Sequence, residues 1–244
     1  MTEEFARPIA PIEHMFDHGR MVPDLALAAP NGTSATVQQL RDRIRGMQDG
    51  VPRLPVATHP ALADLVQLRT GGSYEVDSAS LAMALLCAPS QDGAWTAVVG
   101  ADDFGFEAAA EMGVDLGRTV LVPDPGEHWL EVTTALVDVV TMVVLRPPVA
   151  VNARVASRVS ARLRKRSAVL VSWGPWPGSE ASLSLRGSVW SGADHGHGRL
   201  RSRRVVVDVR RGSAPSRRTE LWLPGQGEPI GRVEHPPASL EALA

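Results

Sequence analysis

The residues that come nearest to a recognisable chemical site lie between positions 72 and 79. A phosphate-binding loop reads G-x-x-x-x-G-K-[ST], because its glycines let backbone N–H groups converge on phosphate, its lysine reaches the terminal phosphates and its hydroxyl holds magnesium. Counted from Gly72, Asp77 stands at the second glycine, Ser78 at the lysine and Ala79 at the hydroxyl residue. An aspartate there would put negative charge beside phosphate. The spacing therefore predicts a nucleotide site that has lost its chemistry.

The acids that a nucleotide-hydrolysing enzyme needs are also out of place. Arg146 follows the predicted strand 142–145, where such an enzyme presents a magnesium ligand, and a guanidinium cannot coordinate a cation. Asp102 and Asp103 follow another strand, at the edge where these folds place catalytic groups. Because no lysine or metal-binding acid accompanies them, we interpret both as helix-capping carboxylates. We expect no catalytic residue, no metal and no cofactor.

The elements that position these residues follow from the hydrophobic pattern. Short apolar segments, separated by stretches long enough for helical crossovers, are typical of parallel strands that helices cover on both faces. The predicted strands are 73–76, 95–99, 119–122, 142–145 and 168–173. The predicted helices outside the crossovers are 37–47, 61–68 and 152–166.

The pattern changes after residue 181 to short alternating strands. The segments 204–209 and 219–223 flank a turn-rich loop and predict an antiparallel hairpin. We therefore expect an α/β fold with a mainly parallel sheet, flanked by helices and extended by C-terminal antiparallel strands. The expected organisation is a disordered segment 1–35, a helix 36–50, a core domain 51–224 and a flexible tail 225–244. The helix 36–50 could pack on its own core or on another subunit.

Composition bounds the class of protein. The chain has 244 residues, a formal net charge of −2 and one cysteine, Cys87. A single cysteine excludes a disulfide framework within the chain, and its place on an apolar helix face predicts a buried core thiol. The acidic N-terminal segment lacks an apolar run, and no stretch reaches the length of a membrane span. We expect a cytoplasmic protein without membrane contact.

Arginines form two basic surfaces in the second half of the chain. One follows the outer face of the helix 152–166 at a spacing of four residues and includes Arg154, Arg158 and Arg162. The other follows the last strands and includes Arg199, Arg201, Arg203 and Arg204. Either surface could be an ordinary solvated face, a partner surface or a weak nucleic-acid contact.

Two histidines in this region, His195 and His197, lie among glycines with only Asp194 nearby. A metal site needs further ligands at a familiar spacing, and the segment has none. We interpret it as a structured turn that leads into a strand.

The order of elements over residues 68–224 resembles the core of RecA. The segments EMGVDLGRTVLVPDPGEHWLEVTTALV and RRVVVDVRRGSAPSRRTELWLP carry the resemblance. It places Ser78 at the phosphate lysine, Arg146 at the magnesium aspartate and Asp102 at the catalytic glutamate. It also places shortened counterparts of the two DNA-binding loops at 147–151 and 174–181. These departures from RecA argue against ATP hydrolysis, filament formation and strand exchange together.

A closer resemblance is to the actinobacterial ImuA-like (ImuA′) family of the damage-inducible mutasome. It rests on WSGADHGHGRLRSRR, on VVGADDFGFEAAAEMGVDL and on the altered phosphate loop. The resemblance implies a non-catalytic adaptor in SOS-induced translesion synthesis, recruited to the nucleoid or the replication fork. The implied partners are an ImuB-like Y-family protein and, indirectly, an error-prone DnaE-type polymerase, with a second copy or RecA as further candidates. RecA protomers dock an N-terminal segment onto a neighbouring core, and ImuB carries a similar N-terminal motif.

Two other functions remain open on the sequence. The chain could be an ATPase with an unconventional loop, which magnesium-dependent ATP turnover would reveal. It could also be a cell-division inhibitor like SulA, another RecA-related protein without ATPase chemistry.

Overall fold

The computed structural model describes residues 52–233 except 195, 196, 226 and 228. The predictions for 1–35 and 36–50, and for the tail beyond 233, concern residues outside this range. The helices are α1 Pro60–Ala63, α2 Ala79–Gln91, α3 Phe106–Glu111, α4 Trp129–Val137 and α5 Ala153–Arg166, with 3₁₀ turns at Leu116–Arg118 and Gly126–His128. The strands are β1 Ser73–Val76, β2 Thr96–Val99, β3 Thr119–Val122, β4 Met142–Leu145, β5 Val169–Trp173, β6 Ala181–Asp194, β7 His197–Arg210, β8 Arg217–Trp222 and β9 Gly231–Arg232.

The described strands form one nine-stranded sheet in the order β3-β2-β4-β5-β1-β6-β7-β8-β9. Neighbours from β3 to β6 are parallel, and neighbours from β6 to β9 are antiparallel. The predicted α/β class, with a mainly parallel sheet and antiparallel C-terminal strands, is confirmed. The predicted strands 73–76, 119–122 and 142–145 have the observed bounds, and the predicted hairpin is the β7–β8 pair.

Apolar layers cover both faces of the parallel part of the sheet. On β4, Met142 and Val144 pack into the layer that contains α2, whereas Val143 and Leu145 pack into the layer that contains α5. All four side chains are fully buried, which explains why the segment reads as a continuous apolar run. Burial of each such side chain contributes about 1.5–3 kcal/mol.

The amphipathic helix α5 begins and ends as its sequence predicts. The Asn152 side chain accepts a hydrogen bond from the Val155 N–H at 3.0 Å and caps the first turn. Val159 and Leu163 are buried, and the arginines lie on the opposite face. The helix ends where Ser167 adopts a left-handed conformation with φ 54°.

The helix predicted over 61–68 is shorter than expected, because α1 ends at Ala63. The chain after it must become extended to pair with residues 54–56. The Val56 N–H donates to the Leu68 carbonyl, and the Thr70 N–H donates to the Leu54 carbonyl, both at 2.9 Å. These tertiary hydrogen bonds override the helical spacing of the apolar residues.

The C-terminal strands are longer than the short strands that the sequence predicts. Beyond Leu183, β6 pairs with β7 as its only described strand partner, and the β7 residues before Arg203 pair only with β6. We name residues 186–194 and 197–203 the ribbon. Gly187 lies at a register shift and has a positive φ of 71°, as expected of a β-bulge.

The sheet also extends past Pro224, the residue at which the predicted core ends. The strand β9, Gly231–Arg232, pairs with β8, and Ile230 before it is buried in the core. Residues 229–233 therefore belong to the core, and the predicted boundary at 225 is too early. The composition of this segment, with its glycines and a proline, is typical of a flexible tail. Its burial in the core depends on one isoleucine, Ile230, which the composition does not reveal.

Candidate functional site

Parallel sheets of this kind bind ligands at the carboxyl ends of their strands. Here β1 is joined to α2 by only two residues, Asp77 and Ser78. The phosphate-loop register counted from Gly72 is therefore wrong, because the four residues that follow Gly72 form β1 and cannot be part of a loop. Gly72 and Asp77 lie at opposite ends of that strand. A two-residue connection leaves no loop of backbone N–H groups to surround a phosphate.

The two residues of this connection are held by local contacts. Both carboxylate oxygens of Asp77 lie 3.1 Å from the Leu185 backbone nitrogen, which donates to them from β6. The Ser78 hydroxyl accepts from the Leu81 N–H at 3.4 Å and caps α2, and Ala79 is the first residue of that helix. Asp77 thus ties the parallel strands to the antiparallel ones, and Ser78 starts a helix.

Arg146 lies at the end of β4 and joins three strands. Its guanidinium forms an ion pair with Asp103 beyond β2 at 2.5 Å and stacks over the Trp173 ring at 4.6 Å. A cation therefore occupies the position that the RecA resemblance assigns to a magnesium ligand. Asp102 is exposed and forms no ion pair or side-chain hydrogen bond with another described residue.

The interpretation of Asp102 and Asp103 as helix caps is wrong. The N-cap of α3 is Gly105, and no side chain accepts a hydrogen bond there. The turn between β2 and α3 carries Asp103 toward β4 instead, where Arg146 neutralises it. A glycine at position 100 allows the turn to lie this close to β4, because its φ is 75° and a Cβ there would lie 2.4 Å from the Arg146 carbonyl oxygen.

A groove of about 600 Å³ opens beside Arg146 at the same edge of the sheet. It lies between the loop before α5 and the loop after β5, which are the two loops that the resemblance aligns with DNA-binding loops. Its walls are Glu75, Trp173, Trp176 and residues 147–151, 174, 175 and 177. Four prolines and two tryptophans make these walls mainly apolar, and no arginine or lysine is among them. The groove suits an apolar or extended peptide better than a phosphate backbone.

Glu75 and Trp176 fix the floor of this groove. The Glu75 carboxylate accepts hydrogen bonds from the Trp176 backbone N–H at 3.0 Å and from the Ser182 hydroxyl at 3.3 Å. Trp176 is only 2% exposed, and its indole N–H has no acceptor among the described residues. Glu75 is not among the site residues predicted from the sequence. The available signal was a charged residue within a buried strand, which usually marks a specific hydrogen-bond role.

Glu180 holds the loop after β5 against the start of the core. It forms an ion pair with Arg53, and its second oxygen lies 3.3 Å from the Tyr74 hydroxyl. Burial, followed by the charge of Glu180, raises the pKa of the Tyr74 phenol, so the hydroxyl stays protonated. These contacts attach the segment after the groove-lining loop 174–177 to β1 and to the start of the described chain.

The basic face of α5 is partly neutralised. Arg162 and Arg166 both bind Asp138, the C-cap of α4. The hydrogen bond from Arg162 holds the pKa of the Asp138 carboxyl below its usual value. Arg154 and Arg158 are exposed and have no carboxylate partner among the described residues. Of the arginines predicted on the outer face of this helix, Arg162 is therefore neutralised, whereas Arg154 and Arg158 are not neutralised by any described carboxylate.

The arginines of the last strands also differ from one another. Arg203 donates to the Ser188 hydroxyl at 2.7 Å and to the Ser80 hydroxyl at 3.2 Å, so it attaches the ribbon to α2. Arg204 lies 3.9 Å from the Glu220 carboxylate. Arg199 and Arg201 are exposed and have no such partner among the described residues. Arg199 and Arg201 therefore resemble Arg154 and Arg158, in that no described carboxylate compensates their charge.

Three smaller predictions concern chemistry elsewhere. Cys87 is buried as predicted, and burial raises the pKa of its thiol. His197 lies in β7 opposite Asp194, whereas His195 is outside the described residues. Within residues 52–233, less the four omitted positions, no three or more His, Cys, Asp or Glu side chains are grouped to hold a metal.

None of the described helices is long and apolar enough to cross a bilayer.

Comparison with known proteins identifies similarity without an assigned activity. Residues 61–178 match the family model described as the MT3502 N-terminal domain. Rv3395c, an uncharacterized protein of Mycobacterium tuberculosis, is 31% identical over 144 residues, which cover 57% of this chain and 64% of the relative. The aligned region thus spans less than two thirds of that relative's length. The family-model match contains β1 to β5 and all the residues that line the groove, and it ends before β6.

Proposed function

We propose that this protein is a non-catalytic, RecA-like adaptor of the ImuA′ type. It bridges an ImuB-like Y-family protein and an error-prone DnaE-type polymerase in damage-induced translesion synthesis. The observation that carries this proposal is the carboxyl edge of the sheet. There Asp77, Ser78 and Arg146 make contacts within the protein at the positions where a nucleotide enzyme would bind phosphate and magnesium. The fold is retained, but the edge at which such folds usually bind ligands makes contacts within the protein instead, as expected of a scaffold.

The free edge of β3 is the proposed docking site for an extended segment of the ImuB-like partner. Among the described strands β3 pairs only with β2, and Val120, Leu121 and Val122 are half-buried. The Val122 carbonyl accepts from the Gly100 N–H, so Val122 faces β2. Successive residues of a strand direct their backbone groups to opposite edges. The N–H and C=O groups of Leu121 therefore point away from β2 and can pair with a partner strand. An added strand would satisfy them and cover the apolar side chains.

The first test is affinity purification of the tagged protein from DNA-damaged host cells, followed by mass spectrometry. The proposal expects an ImuB-like protein and a DnaE-type polymerase. Recovery of division proteins would favour the SulA-like alternative. Magnesium-dependent ATP turnover that is lost in Asp102→Asn would favour the ATPase and contradict a non-catalytic role.

A second test concerns the β3 edge itself. Leu121→Pro removes the outward N–H, and proline is tolerated on edge strands, so the core should remain folded. Loss of one hydrogen bond is worth about 0.5–1.5 kcal/mol, or roughly 2- to 12-fold in affinity for the purified ImuB-like protein. Leu121→Val keeps the N–H and most of the packing and should bind normally. Equal binding by both variants, with unfolding midpoints that show folded protein, would place the partner elsewhere.

A further inference from the structure

The ribbon is a third exposed surface, separate from the groove and the β3 edge. Its two strands continue beyond the part of the sheet where β1 and β8 flank them. Val189 is 56% exposed, Trp190 45% and Leu200 58%. Three large apolar side chains therefore lie in solvent on one projecting hairpin, which makes the hairpin a candidate interaction surface.

The charge of the ribbon identifies the kind of partner. Its 16 residues include four arginines, Arg186, Arg199, Arg201 and Arg203, and one acidic residue, Asp194, although the whole chain has a net charge of −2. Arg186, Arg199 and Arg201 are exposed and have no carboxylate partner among the described residues. Such a concentration of uncompensated positive charge complements a polyanion.

Trp190 lies among these charges in a defined orientation. It is directly opposite Arg203 in the β6–β7 ladder, and the Arg203 guanidinium lies 5.5 Å from the centre of the indole ring. Arg203 is itself bound to Ser188 and Ser80. The ring is therefore held against a fixed cation and still has nearly half of its surface in solvent. An aromatic ring with arginines around it is the arrangement on which single-stranded nucleic acids stack their bases.

We propose that the ribbon binds single-stranded nucleic acid, with a base stacked on Trp190 and backbone phosphates neutralised by Arg199 and Arg201. This site differs from the two loops that the RecA resemblance aligns with DNA-binding loops, because those loops form the apolar groove. The inference does not depend on the proposed adaptor role. An acidic protein surface would use the arginines but would not need the exposed face of the indole.

The test is fluorescence anisotropy of labelled oligothymidylate titrated with the full chain at several salt concentrations. Trp190→Ala should weaken binding roughly 5- to 160-fold, because one stacked base contributes about 1–3 kcal/mol. Trp190→Phe retains an aromatic ring and should recover most of the affinity. Trp95→Ala is the matched control, since Trp95 is 49% exposed on a different part of the surface and should not contribute.

The arginines are tested through the salt dependence. Arg199→Ala combined with Arg201→Ala should reduce the slope of log affinity against log salt by about 1.4, because each phosphate that the protein neutralises on a single strand adds about 0.7 to that slope. Arg154→Ala with Arg158→Ala removes the same charge from α5 and should leave the slope unchanged. Oligouridylate should bind like oligothymidylate, because phosphates and base faces are common to both.

Four results would overturn the proposal. These are no binding at low salt, normal binding by Trp190→Ala, an equal loss in the Trp95 or α5 controls, and duplex DNA that binds as tightly as the single strand. Circular dichroism of each variant establishes that it is folded. Capture of the ImuB-like protein should be unchanged in the ribbon variants, so failure of this proposal is distinguishable from failure of the adaptor role.

Discussion

At the scale of single residues, the carboxyl edge of the sheet uses chemically reactive side chains as structural connectors. Asp77 accepts from the β6 backbone, and Asp103 neutralises Arg146, which in turn stacks on Trp173. Each charged group has a partner from another strand, so its removal should affect stability before it affects any chemistry. Two further positions, Gly100 and Asp138, allow the contribution of single residues to stability to be measured with internal controls.

Gly100→Ala should destabilise the protein by at least about 2 kcal/mol. The new Cβ would lie 2.4 Å from the Arg146 carbonyl oxygen, and a positive φ strains any residue other than glycine by about 1–2 kcal/mol. Gly93→Ala has the same strain, with φ 88°, but its Cβ would meet no atom within 4 Å. Urea unfolding should therefore show the larger loss at Gly100. Equal losses would mean that backbone strain alone limits both positions.

Asp138→Asn should lower stability at neutral pH but not in acid. The native pKa of Asp138 is lowered by its hydrogen bond from Arg162, so the charged carboxylate stabilises the fold above its unfolded pKa of about 3.9. That contribution is lost as the pH falls through the still lower native pKa. Thermal melts of the two proteins should begin to converge as the pH falls below about 4 and should coincide only below the native pKa. The matched control is Asp102→Asn, which removes an exposed carboxylate that has no ion-pair or hydrogen-bond partner among the described residues.

At the scale of elements, the sequence was informative wherever a strand is buried on both faces. The continuous apolar run at 142–145 gave correct bounds, because burial on two sides leaves no room for polar residues. The spacing of α5 was equally clear. The ribbon was not predicted at its true length, since its alternating Arg, Ser, Gly and Leu residues resemble a solvated loop as much as a strand.

The candidate site was predicted less well than the fold. Asp77, Ser78 and Arg146 are among the residues predicted from the sequence. The predicted phosphate loop, however, was counted from a glycine that precedes β1. Counting along the chain cannot distinguish four loop residues from a four-residue strand. The groove depends on Glu75 and Trp176, which are 101 residues apart, and only the paired strands bring them together.

Ser78→Ala tests the role of the connection between β1 and α2. Loss of the N-cap should cost about 1 kcal/mol in urea unfolding, whereas Ser78→Asp can still cap the helix and should cost less. If the protein is an adaptor, damage-induced mutation frequency in the host should remain nearly normal with either variant. Loss of mutagenesis by a folded and abundant Ser78→Asp protein would contradict the non-catalytic role.

At the scale of the whole molecule, three surfaces with different chemistry can be assigned to separate parts of the sheet. The β3 edge offers backbone hydrogen bonds, the groove offers proline and tryptophan walls, and the ribbon offers uncompensated positive charge with an exposed indole. Four strands, β2, β4, β5 and β1, separate the β3 edge from the ribbon strands in the sheet order. Binding at one should therefore leave the other accessible, as an adaptor requires.

The central position of β1 has a consequence for synthesis of the chain. Its neighbours are β5 and β6, with Ser73 beside Leu170 and Tyr74 beside Ala181. During translation β1 must wait for roughly 100 further residues, or about 5–20 s at typical elongation rates, before either neighbour leaves the ribosome. Throughout that interval the apolar face of α2 has no completed sheet to cover it. Nascent chains of this topology are exposed to aggregation for longer than hairpin proteins of equal length, and they depend correspondingly on chaperones that shield apolar segments.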